Sequence, residues 1–138
     1  WRERLAGLEP LRLPFDKPRP EVESFNGAGL RFSLSPAVAA GVGALCRRRG
    51  VTPFMALLAA FQILLHRYSG QERIAVGSPI ANRGRGEVED LVGFFVNTLV
   101  LSVELDGSPG FETVLERVRK AALGAFAHQD LPFEKLVE

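Results

Sequence analysis

The residues with the clearest chemical capacity lie near the end of the chain. They form a stretch that we call the HQDLPFE motif, made of His128, Gln129, Asp130, Leu131, Pro132, Phe133 and Glu134. The motif combines an imidazole, an amide and two carboxyl groups, and enzymes use imidazole and carboxyl groups for general acid–base catalysis. The chain has only two histidines, and His128 lies beside an amide and two carboxyl groups, so it is a candidate proton carrier.

The spacing inside the HQDLPFE motif argues against an acid–base pair. His128 and Asp130 stand two residues apart, and side chains at that spacing do not face each other on a helix. Pro132 holds Leu131 out of the helical region, so the chain is expected to turn here. After such a turn Asp130 is placed to cap a following helix, with Glu134 in its first turn. From the residues alone, the motif is better interpreted as a break between helices.

A second candidate is an asparagine within the strand that we expect over Phe94–Leu105. Leu101, Val103 and Leu105 alternate with polar residues, so they form the buried face of that strand. Counting back in twos from Leu101 places Asn97 on the same buried face. A buried amide without partners would be unfavourable by ~1–3 kcal/mol, so this side chain must form hydrogen bonds. Asn97 then either bonds to the backbone of a nearby loop or lines a cavity.

Three helices are predicted, and a hydroxyl residue followed by proline stands at the expected start of each. The hydroxyl oxygen can cap the helix N-terminus, and proline fits the first helical position because the N–H there has no partner within the helix. The second helix is apolar nearly all round, so we expect other elements to cover most of its surface. The pairs and their helices are Ser35-Pro36 for Pro36–Arg49, Thr52-Pro53 for Pro53–Ser69, and Ser108-Pro109 for a helix that runs into His128.

Two further strands and an extended segment complete the expected elements. Leu30, Phe32 and Leu34 alternate with polar residues, which predicts a strand with one buried face. The stretch Ile74–Ile80 is apolar and rich in small residues, which is typical of a central strand covered on both faces. Residues 1–24 hold four of the nine prolines, and their spacing favours an extended segment lying across a surface.

The composition argues against several classes of function. A formal net charge of +1 with no broad basic stripe argues against nucleic-acid binding. Cys46 is the only cysteine, so the chain can form neither an internal disulfide nor a cysteine-based metal site, and a lone thiol fits a reducing, cytoplasmic setting. We identify no metal-ligand cluster and no nucleophile motif in the sequence. The longest apolar stretch is too short to span a membrane.

Three stretches together resemble the condensation domains of nonribosomal peptide synthetases. The sequence LVGFFVNTLVLSVEL, over Leu91–Leu105, resembles the Gly-x-Phe-Val-Asn-Thr signature of that family. The sequence HQDLPFEKLVE, over residues 128–138, resembles the His-Gln-Asp-x-Pro-Phe-Glu signature that follows it. Residues 51–83 are similar to the helix and strand that precede both signatures. The resemblance covers most of the chain, and the order and spacing of the signatures fit.

This resemblance implies a fold and an activity. Condensation domains have two lobes related to chloramphenicol acetyltransferase, each an α/β sandwich with a mixed sheet and helices packed on it. Donor and acceptor peptidyl carrier proteins present thioesters on 4'-phosphopantetheine arms in a tunnel between the lobes. The acceptor amine attacks the donor thioester and forms an amide bond, in antibiotic and other secondary metabolite biosynthesis. Residues 1–24 would be the lead-in between the lobes, and residues 25–138 a partial C-terminal lobe.

The resemblance also assigns roles to residues. The family's active-site histidine lies in a His-His-x-x-x-Asp-Gly motif of the N-terminal lobe, and this sequence lacks that motif. We therefore expect no catalytic residue here and no peptide-bond formation by this chain without the N-terminal lobe, which is an expected partner together with a neighbouring adenylation domain. The chain would supply one wall of the tunnel, where Asn97 orients substrate and Thr98 and Gly93 are small flanking residues. The HQDLPFE motif becomes a structural junction near the tunnel.

The sequence leaves two interpretations of Arg83 and several alternative functions open. Arg83 is either a partner for an acid across the two lobes or an ordinary loop arginine. An epimerisation domain and a coenzyme A-dependent acyltransferase of the same superfamily are alternative functions, although the FFVNT and HQDLPFE sequences stand as in condensing domains. A third alternative is a non-catalytic module that docks carrier proteins. The missing His-His-x-x-x-Asp-Gly motif makes this third function possible for the chain on its own.

Overall fold

The computed structural model describes residues 1–18, 20–22, 24–84 and 86–137 of the chain. Two residues of the predicted lead-in, Arg19 and Glu23, therefore lie outside the described residues. A 3-10 turn over Gly86–Val88 lies between the two strands. Within the described ranges the helices and strands are α1 (Arg2–Leu5), α2 (Pro36–Arg49), α3 (Pro53–Ser69), β1 (Arg73–Ile80), β2 (Asn97–Glu104), α4 (Phe111–Phe126) and α5 (Glu134–Val137).

The two strands form an antiparallel ladder with helices packed on it. The ladder runs from the pair Arg73 and Glu104 to the pair Ile80 and Asn97. The core of the described chain lies between these strands and helices α3 and α4. Every second residue from Asn97 to Leu105 is buried, so the alternation predicted for β2 is confirmed. The predicted α/β class is confirmed as well.

Helices α2 and α3 begin and end where the sequence predicts. The hydroxyl oxygens of Ser35 and Thr52 accept hydrogen bonds of 3.4 and 3.3 Å from the backbone N–H three residues further on. Both helices end at a glycine in the left-handed conformation, with φ of 62° at Gly50 and 69° at Gly70. Glycine adopts this conformation without strain because it has no Cβ. These short local signals are therefore sufficient to set the bounds of both helices.

The start predicted for the third helix, at Ser108-Pro109, is wrong. Helix α4 begins at Phe111, and its N-cap is Gly110, which has no side chain to accept a capping hydrogen bond. Ser108 has a φ of 51° and follows Gly107 at 69°, so both residues belong to the turn that leaves β2. A capping serine needs extended backbone, and the left-handed conformation of Ser108 excludes this.

The strand predicted around residues 30–34 is wrong for this structure. Leu30 and Phe32 are 90% and 81% exposed, and residues 24–34 form no helix or strand. An extended segment becomes a strand only where a neighbour supplies N–H and C=O partners, and the sheet of the described residues consists of β1 and β2. For the same reason β1 is paired along one edge only. It is not covered on both faces as predicted, since complete burial along it is limited to Ile74.

One face of α3 is also more exposed than its composition predicts. The inner face packs into the core through residues such as Met55, Leu58 and Leu65. The outer face carries a row of large apolar side chains that are between 42% and 63% exposed, and we call it the α3 stripe. Its members are Phe54, Leu57, Phe61, Leu64 and Tyr68. The prediction that other elements cover most of this helix is therefore wrong for the stripe.

The N-terminal segment lies against the beginning of β1. Residues 8–15, which follow α1, form no helix or strand, and the side chain of Gln71 binds this segment through both its amide oxygen and its amide nitrogen. The Gln71 side chain accepts a hydrogen bond of 2.7 Å from the N–H of Arg12 and donates one of 3.1 Å to the carbonyl of Pro10. Arg73 donates a further hydrogen bond of 2.7 Å to the carbonyl of Ala6. These contacts attach the proline-rich segment to the sheet.

Candidate functional site

The amide of Asn97 makes four hydrogen bonds at the end of the ladder. Asn97 is the first residue of β2 and is 8% exposed. Its Nδ2 donates hydrogen bonds of 2.8 Å to the carbonyl of Gln129 and 2.9 Å to the carbonyl of Leu131. Its Oδ1 accepts hydrogen bonds of 2.9 Å from the N–H of Thr98 and 3.0 Å from the N–H of Phe133. An amide group has two donors and two acceptor positions, so all four are used.

These hydrogen bonds connect the two sequence motifs to each other. Gln129, Leu131 and Phe133 belong to the HQDLPFE motif, which forms the turn between α4 and α5. The carbonyls after a helix and the N–H groups before the next helix lack partners within either helix. Asn97 lies in a strand 32 to 36 residues earlier in the chain, and its amide binds both the free carbonyls and the free N–H group of this turn. The first of the two sequence alternatives, an asparagine that bonds loop backbone, is the arrangement observed.

The turn itself contains no acid–base pair. The Nδ1 atom of His128 lies 2.9 Å from the carbonyl oxygen of Gly124, one helical turn earlier in α4. Asp130 is exposed, and its carboxylate makes no hydrogen bond to the residues that the structure describes. The expected capping of the next helix by Asp130 is therefore wrong, because Asn97 holds the N–H of Phe133 instead. The predicted break between two helices is confirmed.

The small residues beside Asn97 allow close approach within the chain. A Cβ atom on Gly93 would lie 3.0 Å from Cε2 of Phe95, so only glycine lets the backbone pass this close to the ring. The γ-methyl of Thr98, on the neighbouring strand, lies 3.2 Å from the position of a Cβ atom on Gly77. Thr98 is half-buried and lies opposite Pro79 in the ladder. Gly93 and Phe95 thus pack closely together in the segment that leads to Asn97, the first residue of β2.

Arg83 contributes to this region in a way that neither sequence interpretation includes. Its guanidinium group donates hydrogen bonds to several backbone carbonyls of the loop between the strands. The guanidinium carbon also lies 4.3 Å from the centre of the Phe95 ring. The sequence gives no signal for these bonds, because a loop conformation that converges on one side chain leaves no periodic pattern. Arg83 and Asn97 lie at the same end of the ladder and are both bound to loop backbone.

Two further polar side chains, on α3, have structural partners. His66, at the edge of α3, has Nδ1 2.8 Å from the carbonyl oxygen of Gln71. Gln62 is completely buried, and its Nε2 donates hydrogen bonds of 2.9 Å to Leu101 and 3.3 Å to Ile74. Both side chains therefore fasten α3 to the strands and the loop before them. His66 is therefore a hydrogen-bonded histidine at the edge of a helix.

Metal binding finds no support among the described residues. No group of three or more histidine, cysteine, aspartate or glutamate side chains is placed to hold a metal ion in this part of the chain. No single helix among these residues is long and apolar enough to cross a bilayer. Helices α2 and α3 meet that test only as a pair bent by 106°, by length and composition alone.

Comparison with known proteins gives a consistent family assignment. The model of the condensation domain family matches residues 1–138. The chain is 55% identical over 139 residues to a linear gramicidin synthase of Brevibacillus parabrevis, covering all of this chain and 3% of that protein. It is 46% identical over 139 residues to the phosphinothricin tripeptide synthetase PhsC of Streptomyces viridochromogenes, covering all of this chain and 13% of that protein. It thus spans only a small part of these curated relatives.

Solved structures agree with this assignment. The X-domain from teicoplanin biosynthesis, solved alone and in complex with OxyB, superposes with a TM-score of 0.91 at 28% identity, over 98% of this chain and 30% of that chain. A four-domain nonribosomal peptide synthetase bound to AMP and glycine superposes with a TM-score of 0.86 at 28% identity, over 91% and 10%. Such domains have the chloramphenicol acetyltransferase-like fold that the sequence predicts. This chain belongs to the condensation domain family.

Proposed function

We propose that this chain is part of a nonribosomal peptide synthetase condensation domain that joins carrier-bound aminoacyl or peptidyl thioesters by amide-bond formation. The observation that carries the proposal is the amide of Asn97, which binds one family motif to the other. The match of the family model to the whole chain supports it. So do the relatives, since PhsC is a peptide synthetase by name.

Within that reaction the role of this chain is to form a rigid wall of the substrate tunnel. Transfer between two carrier-bound groups depends on holding the amine and the thioester in contact, and a displacement of about 1 Å can slow such a step ~100-fold. Asn97 has no unused donor or acceptor, so it acts by fixing the turn that it binds. Thr98 and Gly93 lie beside it, and His128 bonds its own helix. Proton transfer belongs to a His-His-x-x-x-Asp-Gly motif supplied by a preceding lobe.

The partners follow from the same proposal. Donor and acceptor peptidyl carrier proteins bring the two groups on 4'-phosphopantetheine arms, and a neighbouring adenylation domain activates the amino acid. The similarity to a four-domain synthetase bound to AMP and glycine supports this setting. Residues 1–24 would form the lead-in from the N-terminal lobe, and their attachment to the start of β1 through Gln71 supports that placement. In this setting the protein works in the cytoplasm.

A single-turnover assay tests the proposal. The synthetase module that carries this chain is mixed with a donor and an acceptor carrier protein, each shown by mass spectrometry to be loaded. We expect the donor group to move onto the acceptor amine, so that the acceptor carrier gains the mass of the donor group. If no loaded donor and acceptor pair gives this product, the proposed condensation is wrong.

A second candidate function is docking without reaction. The X-domain from teicoplanin biosynthesis, which has the same fold, has been solved in complex with a second protein, OxyB. A module of this kind would bind a loaded carrier protein or another enzyme and leave its thioester unchanged. Titration of the module with loaded carrier protein separates the two functions, because saturable binding with no product over many hours would favour docking.

A further inference from the structure

The guanidinium group of Arg83 holds the loop that leads into β2. The loop covers residues 86–93 and includes the 3-10 turn over Gly86–Val88, and no described residue between Ala81 and Phe94 is buried. One nitrogen, Nη1, donates to three carbonyls of the loop and the other, Nη2, to a fourth. The acceptors are the carbonyl oxygens of Val88, Glu89 at 3.3 Å, Leu91 at 2.8 Å and Gly93 at 3.2 Å.

Only arginine has the geometry for these contacts. Its guanidinium is planar and has five N–H donors in a fixed fork, whereas lysine has one nitrogen on a flexible stem. The flat face of the group also stacks on an aromatic ring, which is attractive because the ring face is electron-rich. In this structure that ring is Phe95, with the guanidinium carbon 4.3 Å from the ring centre. Arg83 therefore contacts the loop and the ring of Phe95 at the same time.

The loop depends on Arg83 because it has no apolar core of its own. Val92 and Phe94 point into solvent and are almost completely exposed. A surface segment without buried side chains is held by its polar contacts, and it opens easily when they are lost. Here the carbonyls of the loop converge on a single side chain. Removing that side chain leaves the segment before β2 without its main restraint.

The same contacts lead from Arg83 to the Asn97 amide. Phe95 lies two residues before Asn97, and the ring of Phe95 touches Gly93 on the loop. Gly84, the residue after Arg83, lies near the side chain of Gln129, since a Cβ atom placed on Gly84 would be 4.0 Å from Gln129 Nε2. The Arg83 side chain thus lies beside the segment that leads to Asn97, and the residue after it lies near the HQDLPFE motif.

We propose that Arg83 is a positioning residue for the condensation reaction. It fixes the loop over residues 86–93, and through Phe95 it fixes the start of β2 and the HQDLPFE motif that Asn97 binds. The inference rests on the proposed function, because it assigns Arg83 to the wall that the reaction uses. It replaces the expectation of an ion pair across the lobes with a role inside this chain.

The test compares Arg83→Ala and Arg83→Lys with Arg67→Ala in the complete synthetase module. Arg67 is an exposed arginine of α3 whose side chain makes no hydrogen bond to the described residues, so it serves as a matched control. Hydrogen–deuterium exchange is followed in the peptide over residues 86–93 and in the peptide that contains Phe133. Single-turnover transfer and its dependence on carrier concentration are measured on the same preparations.

We expect Arg83→Ala to speed exchange of the loop peptide about tenfold or more, since charge-assisted hydrogen bonds are lost. The Phe133 peptide should also exchange faster, which a purely local loop contact would not cause. Transfer should slow about tenfold while half-saturation by the carrier changes less than about twofold, because positioning is lost and not carrier binding. Arg83→Lys should restore only a small part of the rate, and Arg67→Ala should behave as wild type.

Each contrary result overturns a distinct claim. Unchanged loop exchange in Arg83→Ala would show that the guanidinium does not hold the loop. Faster loop exchange with wild-type transfer would overturn the positioning role. If Arg83→Ala does not fold, Arg83→Lys decides, and full rate in that variant would overturn the inference. An inactive wild-type module would instead contradict the proposed function itself, and the inference with it.

Discussion

The hydrogen bonds of one amide explain why asparagine suits position 97. Aspartate would keep the two acceptor positions but would place a negative charge against the carbonyls of Gln129 and Leu131. Glutamine has the same amide group on a longer side chain, which would displace it from partners at 2.8 to 3.0 Å. Since every donor and acceptor of the group is used inside the chain, a substrate contact would require one of these bonds to break.

Gly93 offers a sharp test of the packing beside Asn97. In Gly93→Ala the new methyl group would lie 3.0 Å from Phe95, so the ring must move and its stacking on Arg83 is disturbed. We expect the free energy of unfolding to fall by about 1 kcal/mol, as for other small overpacking changes. The measurement is chemical unfolding followed by tryptophan fluorescence.

Gly86→Ala provides the control for this substitution. A Cβ atom on Gly86 would have no neighbour within 4 Å, so that variant should unfold at nearly the wild-type denaturant concentration. Equal midpoints for the two variants would contradict the close contact between Gly93 and Phe95.

Residue positions along a strand are predictable from sequence, but their partners are not. Alternation of Leu101, Val103 and Leu105 is enough to place Asn97 on the buried face, since side chains alternate with a period of two. Its partners lie 32 to 36 residues later, across the whole of α4. Their position depends on how that helix packs on the sheet, which no local pattern encodes. The same limit applies to Arg83 and the carbonyls that converge on it.

At the scale of elements, two similar sequence signals have different outcomes. Thr52 caps α3 through its hydroxyl, whereas Ser108 lies in a left-handed turn two residues before the cap of α4. We expect Thr52→Ala to destabilise the fold by about 1 kcal/mol, because the N–H of Met55 loses its acceptor. Thermal unfolding measures the change.

Ser108→Gly is the counterpart of that substitution. A residue with a Cβ is strained by roughly 1 kcal/mol at a positive φ, so glycine should leave stability unchanged or raise it. A clear loss of stability in Ser108→Gly would contradict the strained, non-capping conformation of Ser108, since even a capping serine loses only a few tenths of a kcal/mol when replaced by glycine.

The different outcomes at Thr52 and Ser108 show that a hydroxyl–proline pair does not by itself determine where a helix begins. Both pairs have a hydroxyl residue followed by proline, but only Ser108 lies shortly after a strand, since β2 ends at Glu104. The chain must leave β2 and reverse before α4 can pack on the sheet, and consecutive left-handed residues at Gly107 and Ser108 make that reversal. The tertiary requirement overrides the local preference, and the helix begins at Phe111 instead of Pro109.

At the scale of the whole molecule, the α3 stripe is a row of large apolar side chains that the described residues leave about half exposed. Its five large side chains lie along one side of a helix whose opposite side is in the core. Contiguous exposed apolar surface promotes association in water. We therefore expect the 138-residue chain on its own to self-associate in sedimentation experiments at micromolar concentration.

Charged substitutions on the stripe test this expectation. Leu57→Lys together with Phe61→Lys should reduce self-association without loss of helical content, because both side chains are about half exposed. Leu58→Lys, one residue away, should unfold the chain because Leu58 is buried. A wild-type chain that sediments as a monomer and binds no hydrophobic dye would contradict the expectation.

The apolar character of α3 is readable from sequence, but the identity of its covering elements is not. A helix that is apolar all round predicts burial. The same holds for residues 30–34, whose alternation predicts a strand that finds no partner among the described residues. Hydrophobic periodicity predicts which face of a helix or strand is apolar, but it does not predict which neighbouring element packs against that face. The class, the helices α2 and α3 and the buried face of β2 are therefore predicted correctly, while the sheet partners are not.

Hydrogen–deuterium exchange at the Phe133 amide tests most directly whether Asn97 holds the HQDLPFE motif against the start of β2. In wild type this N–H is bound to Asn97 Oδ1 at 3.0 Å. In Asn97→Ala its exchange should rise about tenfold or more, since the bond and its neighbours are lost. In His128→Ala, which removes only a contact within α4, it should stay near the wild-type rate. Equal exchange at Phe133 in wild type and Asn97→Ala would contradict the connection between the two motifs.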